Sequence, residues 1–359
     1  MKVKKILYSV IFLSFLLFLA EQAIAVKMND SDSAPKQKEE EVDSYVLEKS
    51  NAFLERGNKN YNNKNYRRAV KEYQTALKIY PKNKDAVFNL ANTYGKLGES
   101  DKAVSTYNDL LKIDYQDVMA HNNLGNVYEE GGDFDKAAYE YKEAIKINPD
   151  FVLAYNNLGN LYYYNKEYEG AIVCFKKSIE LSPNAAYGYN NLGNVYYKQK
   201  KYDAAIGEYN KALERNPKLV FCWNNKGNAY LRKNQADFAI ESLKKALSIS
   251  RKNPQTYESL GDAYLLKKIY PEAVKSYRSA LSLNKNSASL YYKLGASCKY
   301  IDKPKAIDYF RQYLAYGSNS RVLEKVKIAI EELEEAIELE KQKAKSKEKL
   351  TDNAQPKKA

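Results

Sequence analysis

The chain has 359 residues, 44% of them hydrophobic, with 34 tyrosines and one tryptophan, which is enough apolar material for a large core and too much for a wholly disordered polymer. Lys and Arg outnumber Asp and Glu by 58 to 45, and residues 50–320 hold 41 of the basic and 28 of the acidic groups, so the whole net charge of +13 lies there. Such a surface suits an acidic protein, an anionic lipid or a polyanion, or serves only as a solvated outer face, while one histidine and three scattered cysteines exclude a Cys/His metal cluster or a disulfide framework.

The N-terminus reads as an export signal over residues 1–25. Lys2, Lys4 and Lys5 precede the apolar run Ile6 to Ala20, and Ala23-Ile24-Ala25 supplies a small-x-small cleavage pattern. The run of about 15 apolar residues is short for a membrane-spanning helix, which needs about 20, so cleavage after Ala25 is expected, with an uncleaved anchor as the alternative. Residues 26–49 are poor in apolar groups and alternate Lys36-Gln37-Lys38 with Glu39-Glu40-Glu41; they are expected to form a disordered linker.

From Ser50 to Ser320 one pattern recurs eight times at a period of 34. Its small-residue marker is Gly57, Ala91, Gly125, Gly159, Gly193, Gly227, Gly261 and Gly295. Twelve residues on comes an alanine, from Ala69 to Ala273, with Ala306 one residue early in the last copy. Four residues beyond each alanine stands Tyr73, Tyr107, Tyr141, Phe175, Tyr209, Leu243, Tyr277 or Phe310, on the same helical face as the alanine. Each copy therefore predicts two helices. In the fourth, Tyr155, Leu158, Gly159 and Tyr162 make the inward stripe of the first helix, and Ala171, Phe175 and Ser178 that of the second. Pro81, Pro149, Pro183 and Pro217 stop four of the second helices. A single helix pair cannot bury its apolar face alone, so the copies must stack. Their expected bounds are 50–83, 84–117, 118–151, 152–185, 186–219, 220–253, 254–287 and 288–320.

Beyond the repeats, Val322, Val326, Ile330, Leu333 and Ile337 form one apolar stripe among glutamates. Residues 321–342 are expected to be a capping helix with a polar outer face; a short coiled-coil seam giving a weak homo-oligomer is the competing reading. The Lys-rich stretch 343–359 is expected to be a disordered tail.

Segments such as AYNNLGNLYYYNKEYEGAIVCFKKSIELSP (154–183) resemble the tetratricopeptide repeat family almost throughout. The resemblance implies an all-α, right-handed superhelical solenoid of about eight helix-turn-helix repeats, and a scaffold that binds peptides without chemistry of its own. The departures are local. Only Trp223 fills a position where the family often carries tryptophan, and Tyr115, Arg251 and Lys285 stand where proline is usual.

Catalytic residues, metal ligands and a cofactor site are not expected. His121 takes the stripe position that Tyr155 and Tyr189 hold in the following copies, so a core role is its expected one. Cys174, Cys222 and Cys298 fall at unrelated places and read as small buried hydrophobes, and no nucleophile elbow, phosphate loop or metalloprotease motif is present.

Asparagine is the unusual residue of the first helices, where it is a poor helix former. Asn89, Asn123, Asn157, Asn191 and Asn225 lie two residues before the marker; Asn58, Asn92, Asn126, Asn160, Asn194 and Asn228, continued by Asp262, lie one after it. A third line of Asn122, Asn156, Asn190 and Asn224 thickens the strip. Carboxamides bridging neighbouring repeats explain such lines; so does a groove that grips a peptide backbone, since an amide both donates and accepts. On the second reading these asparagines need not build the solenoid at all. The ladder resembles that of the repeat domain of O-linked N-acetylglucosamine transferases, without a transferase domain, and this resemblance implies an extended peptide held along the concave face, with Tyr163, Tyr164, Tyr197 and Leu231 as side-chain contacts. The carboxylate clamp of chaperone-binding members is not matched, because Leu54 stands where its first lysine belongs. The expected protein is an exported, non-enzymatic scaffold, periplasmic or envelope-associated, whose partner is a protein or peptide; the alternative is an envelope structural protein that binds an anionic polymer or lipid through its basic surface. Nucleic acid is not expected, for want of a base-reading motif and because of the export signal.

Overall fold

The computed structural model describes residues 43–352, with side chains to residue 347. Seventeen helices account for almost all of it, and strands are absent among the described residues. In chain order they are α1 (Ser44–Asn62), α2 (Tyr66–Ile79), α3 (Lys84–Lys96), α4 (Ser100–Ile113), α5 (Val118–Glu130), α6 (Phe134–Ile147), α7 (Val152–Tyr164), α8 (Tyr168–Leu181), α9 (Ala186–Lys198), α10 (Tyr202–Arg215), α11 (Val220–Arg232), α12 (Ala236–Ile249), α13 (Pro254–Leu266), α14 (Tyr270–Leu283), α15 (Ala288–Cys298), α16 (Lys303–Tyr316) and α17 (Ser320–Asp352). Odd-numbered helices up to α15 are the first helices of the eight repeats, and even-numbered ones the second.

Each first helix packs most closely on the second helix of its own repeat, and each second helix packs less extensively on the helix that follows. The marker glycines permit the close approach within a pair. A Cβ on Gly193 would lie 2.6 Å from Tyr209 Cε1, and one on Gly261 2.4 Å from Tyr277 Cε1. Among the described residues, Tyr73, Tyr107, Tyr141, Phe175, Tyr209 and Tyr277 are the largest fully buried side chains, and the alanines four residues before them are wholly buried. In the second repeat Ala91 takes the glycine's place, in the same buried cluster as Tyr107.

First helices of successive repeats also touch one another, from α1 with α3 to α11 with α13, whereas no comparable contact joins second helices among the described residues. The stack is therefore shorter along its first helices and curves towards them. This makes their exposed side the concave face, where the asparagines lie.

Seven turns within repeats pass through a left-handed residue, Gly98 and Gly132 with φ of 73° and 82°, and otherwise Lys64, Lys166, Lys200, Asn234 and Lys268 with φ of 57° to 65°. The eighth repeat lacks it. Its first helix ends at Cys298, and Asp302 caps α16, its carboxylate accepting from the Lys305 amide. This is where the period loses its residue.

Two expected boundaries are corrected. Helix α1 begins at Ser44, inside the segment 26–49 expected to be linker, because Asp43 caps it by accepting from the Tyr45 amide and Ser50 is already buried against the Ala76 carbonyl. At the other end α17 runs to Asp352 rather than stopping at 342; the stretch has neither glycine nor proline and is rich in Lys, Glu and Ala, all good helix formers. Val326, Ile330 and Leu333 are buried against the last repeat, as a cap requires. The expected export signal and linker residues 26–42, and the tail from 353, lie outside the described residues. No described helix is long and apolar enough to cross a membrane.

Candidate peptide-binding groove

The asparagines form a hydrogen-bonded chain from repeat to repeat. The Nδ2 of Asn89 donates to Asn58 Oδ1 at 2.9 Å, Asn123 to Asn92 at 3.1 Å, Asn157 to Asn126 at 3.1 Å, Asn191 to Asn160 at 3.4 Å and Asn225 to Asn194 at 2.9 Å. Each acceptor has room for a second donor. Tyr73, Tyr141 and Tyr209 supply it, their hydroxyls lying 2.8 Å from Asn58, 2.8 Å from Asn126 and 2.9 Å from Asn194, and Tyr107 donates likewise to Asn92. The aromatic ring that fills a glycine notch thus also ends on the amide one residue past that glycine. Burial removes water from these phenols, pushing Tyr73 up to about 12 and the others higher, so each remains a neutral donor.

The ladder therefore does build the solenoid, contrary to the expectation that its asparagines are structurally dispensable. The third line is not an open polar strip either. Asn122 and Asn190 are buried; each accepts from the next repeat's ladder residue, Asn157 at 2.9 Å and Asn225 at 3.2 Å, and donates to its own neighbour, Asn123 or Asn191. Asn156 accepts from Ser178 Oγ at 2.8 Å. In the sixth repeat Ala246 stands at the position of Ser178, and the buried Oδ1 of Asn224 has no partner.

The chain ends in ions. Asp262 takes the place of the asparagine after the marker and accepts from Tyr277 at 2.7 Å, and Lys293, at the ladder position of the eighth repeat, donates to Asp262 at 2.7 and 2.8 Å and to Glu258 at 2.8 Å. Burial pulls the lysine down, but the two carboxylates more than offset it, leaving the ammonium charged and its pKa raised.

Two repeats break the pattern. Phe175 and Leu243 have no hydroxyl, so Asn160 keeps only the long 3.4 Å bond from Asn191, and Asn228 makes no hydrogen bond among the described residues. Both amides lie on the concave side and are half-buried. Asn228 borders two adjoining depressions. One, of about 240 Å³, is lined by Tyr163, Asn194, Tyr197 and Asn225 among others; the second, of about 500 Å³, by Tyr197, Leu231, Arg232, Glu258 and Asp262. A third, of about 250 Å³, repeats the arrangement near Asn92, Asn123 and Asn126. Of the expected side-chain contacts, Tyr163 and Tyr197 face these depressions, Tyr197 also accepting from Arg232 Nε at 3.2 Å. Tyr164 is 73% exposed and stands edge-on to Tyr163 at 5.4 Å.

The remaining candidate chemistry is packed away. His121 is buried, with Nδ1 2.6 Å from Glu140 Oε2 and Nε2 3.0 Å from the Tyr115 carbonyl. Desolvation opposes the charged ring, but the bonds to Glu140 and the Tyr115 carbonyl outweigh it and raise the His121 pKa. Burial pushes the thiols of Cys174 up to about 11 and Cys222 up to about 12, and raises that of Cys298, so all three are protonated and inert. No group of three side chains suited to a metal ion occurs among the described residues.

Models of the tetratricopeptide repeat match residues 61–124, 126–166, 159–200, 186–219, 208–241, 227–268 and 261–298, together more than half of the chain. The chain belongs to the tetratricopeptide repeat family, an all-α solenoid whose fold serves as a scaffold for protein–protein interaction. Among solved structures it is similar to a tetratricopeptide repeat protein from Parabacteroides merdae (18% identity, TM-score 0.54, covering 71% of this chain and 99% of that one) and to the APC/C hetero-tetramer Cut9–Hcn1 (18% identity, TM-score 0.52, 80% of this chain). It spans 55% of the length of the latter chain. It is also similar to MamA (30% identity, TM-score 0.43, covering 46% of this chain and 97% of that one). A search of curated proteins finds no significant match.

Proposed function

We propose that this chain is an exported, non-enzymatic scaffold of the cell envelope whose concave groove holds an extended polypeptide segment of a partner protein. The observation that carries the reading is the pair of amides, Asn160 and Asn228, left without the tyrosine donor that Asn58, Asn92, Asn126 and Asn194 have, with Asn228 at the shared edge of two depressions. An amide with free donor and acceptor capacity pairs with a peptide unit irrespective of its side chain. The other ladder residues, from Asn89 to Asn225, set the floor on which such a segment lies. The tyrosines beside Asn228 supply apolar area with a polar tip.

The test is to pan a peptide library on the full chain and compare the enriched peptides on Asn160→Ala and Asn228→Ala. Each amide contributes about 0.5 to 1.5 kcal/mol, so affinity falls about two- to tenfold per site with the melting temperature nearly unchanged. Unaltered affinity in the double variant would overturn the groove. The second reading, an anionic envelope polymer held by the basic surface, is favoured by the net charge of +13; it predicts steep salt dependence and indifference to Asn228.

A further inference from the structure

The face that carries the ladder has two more rows. Along a first helix, positions i, i+4, i+7 and i+11 share one side; in α9 these are Tyr187, Asn191, Asn194 and Lys198, and in α11 Phe221, Asn225, Asn228 and Arg232. On one side of the amides runs an apolar rail, Met119, Leu153, Tyr187 and Phe221, one residue from each of four successive repeats and each 39% to 60% exposed. Tyr187 and Phe221 stack across the repeat boundary, with centroids 5.7 Å apart and planes at 29°. The flanking copies carry Asp85 and Gln255 at this position, so the rail belongs to the central repeats alone. On the other side lie Lys198 and Arg232, which line the two depressions around Asn228 and form no ion pair among the described residues. The carboxylates that line the second depression, Glu258 and Asp262, both pair with Lys293.

Helices in contact lie about 8–10 Å apart, and an extended chain advances about 3.1–3.4 Å per residue, so one repeat corresponds to about three residues of guest. A polyproline II chain has three residues per turn and no internal hydrogen bonds. Its backbone groups stay free for the amides, and every third side chain falls on the same side. Resting on the groove reading above, we propose that the guest is a polyproline II segment of a partner protein in which an apolar side chain recurs every third residue, seated on the rail from Met119 to Phe221, with acidic side chains on the adjacent line facing Lys198 and Arg232.

The experiment uses fluorescein-labelled peptides and the full chain. Four Leu-Glu-Pro triplets are compared by anisotropy with four Ser-Glu-Pro triplets, four Leu-Lys-Pro triplets and a Leu-Glu dipeptide repeat of equal length. The Leu-Glu-Pro peptide is expected to bind at least about tenfold more tightly than each of the others. Tyr187→Ser with Phe221→Ser should abolish the preference for Leu over Ser, and Lys198→Glu with Arg232→Glu should reverse the preference for Glu over Lys. All four positions are surface sites, and circular dichroism confirms that each variant is folded. Peptides that bind equally well whatever their triplet pattern or charge overturn this proposal and leave the groove standing. Failure of all four to bind, when library peptides still lose affinity in Asn228→Ala, overturns it likewise; failure of both removes the groove as well.

Discussion

The second to sixth repeats and the last two solve one geometric problem with different chemistry. In both regions a side chain two residues before the marker reaches back 31 residues to one just after the preceding marker, which a tyrosine hydroxyl also meets at every such rung except that of Asn160. In the central repeats both partners are amides and the rung is neutral; at the C-terminal end the partners are Lys293 and Asp262, reinforced by Glu258. An amide rung involves little desolvation of charge and leaves lone pairs and protons over, so a guest can use what the neighbours do not. An ionic rung holds its partners more firmly but spends them on each other. The comparison explains why the free amides lie among the amide rungs while the end that meets the cap carries an ion pair.

The largest effect should come from the ionic end. Lys293→Met leaves Asp262 and Glu258 facing each other without a counter-ion. Because these groups are 25% to 37% exposed, the cost is below that of a fully buried pair, about 2–3 kcal/mol. Urea titration at low and at high salt would show it, the loss shrinking as salt screens the two carboxylates. A variant as stable as the parent would mean that the rung contributes nothing and the comparison fails. Next in size is Asn194→Ala, which strands the buried Tyr209 hydroxyl and removes one of the two bonds that the Asn225 amide donates, for about 1–2 kcal/mol. Its effect is independent of salt and is localised by faster amide exchange in α9, α10 and α11. Asn228→Ala, at the same repeat position but without partners, should cost within about 0.5 kcal/mol. Equal losses at the two sites would show that the network is not what distinguishes them.

The solenoid was legible in the sequence because its markers are steric. A glycine notch, an alanine contact and a ring must recur at one spacing whatever the surface does, and Gly193 with Tyr209 shows why. The helix ends were less legible, since the capping by Asp43 and the continuation of α17 past residue 342 depend on local bonds and propensity that no period marks. For the groove, the register of Asn89 to Asn225 was legible but not the direction of their bonds. Whether an amide turns outward depends on a residue fifteen positions away having a hydroxyl, so Phe175 and Leu243 decided the matter while reading as ordinary core residues. The ionic rung was missed in the same way: Asp262 extends the asparagine line in sequence, but nothing marks Lys293 as its partner until the 31-residue reach is known. The rail from Met119 to Phe221 is periodic too, yet exposed apolar residues on a first helix cannot be told from packing residues without the burial.

The smallest expected effect isolates the hydroxyl itself. Phe175 already occupies its notch against Gly159, where a Cβ would lie 2.7 Å from the ring, and Asn160 stands fifteen residues before it, the separation at which Tyr73, Tyr141 and Tyr209 reach their asparagines. Phe175→Tyr therefore adds one oxygen where five other repeats already carry it, with no change of fold and no new volume in the notch. The added hydrogen bond should raise stability by about 0.5–1 kcal/mol, read as a small upward shift of the urea midpoint with an unchanged slope. The same substitution occupies the acceptor that Asn160 otherwise offers, so library peptides that depend on Asn160 should bind more weakly to the stabilised protein. Stability and binding would then move in opposite directions from a single atom, which a purely structural ladder does not predict: it allows the gain in stability but leaves peptide affinity where it was.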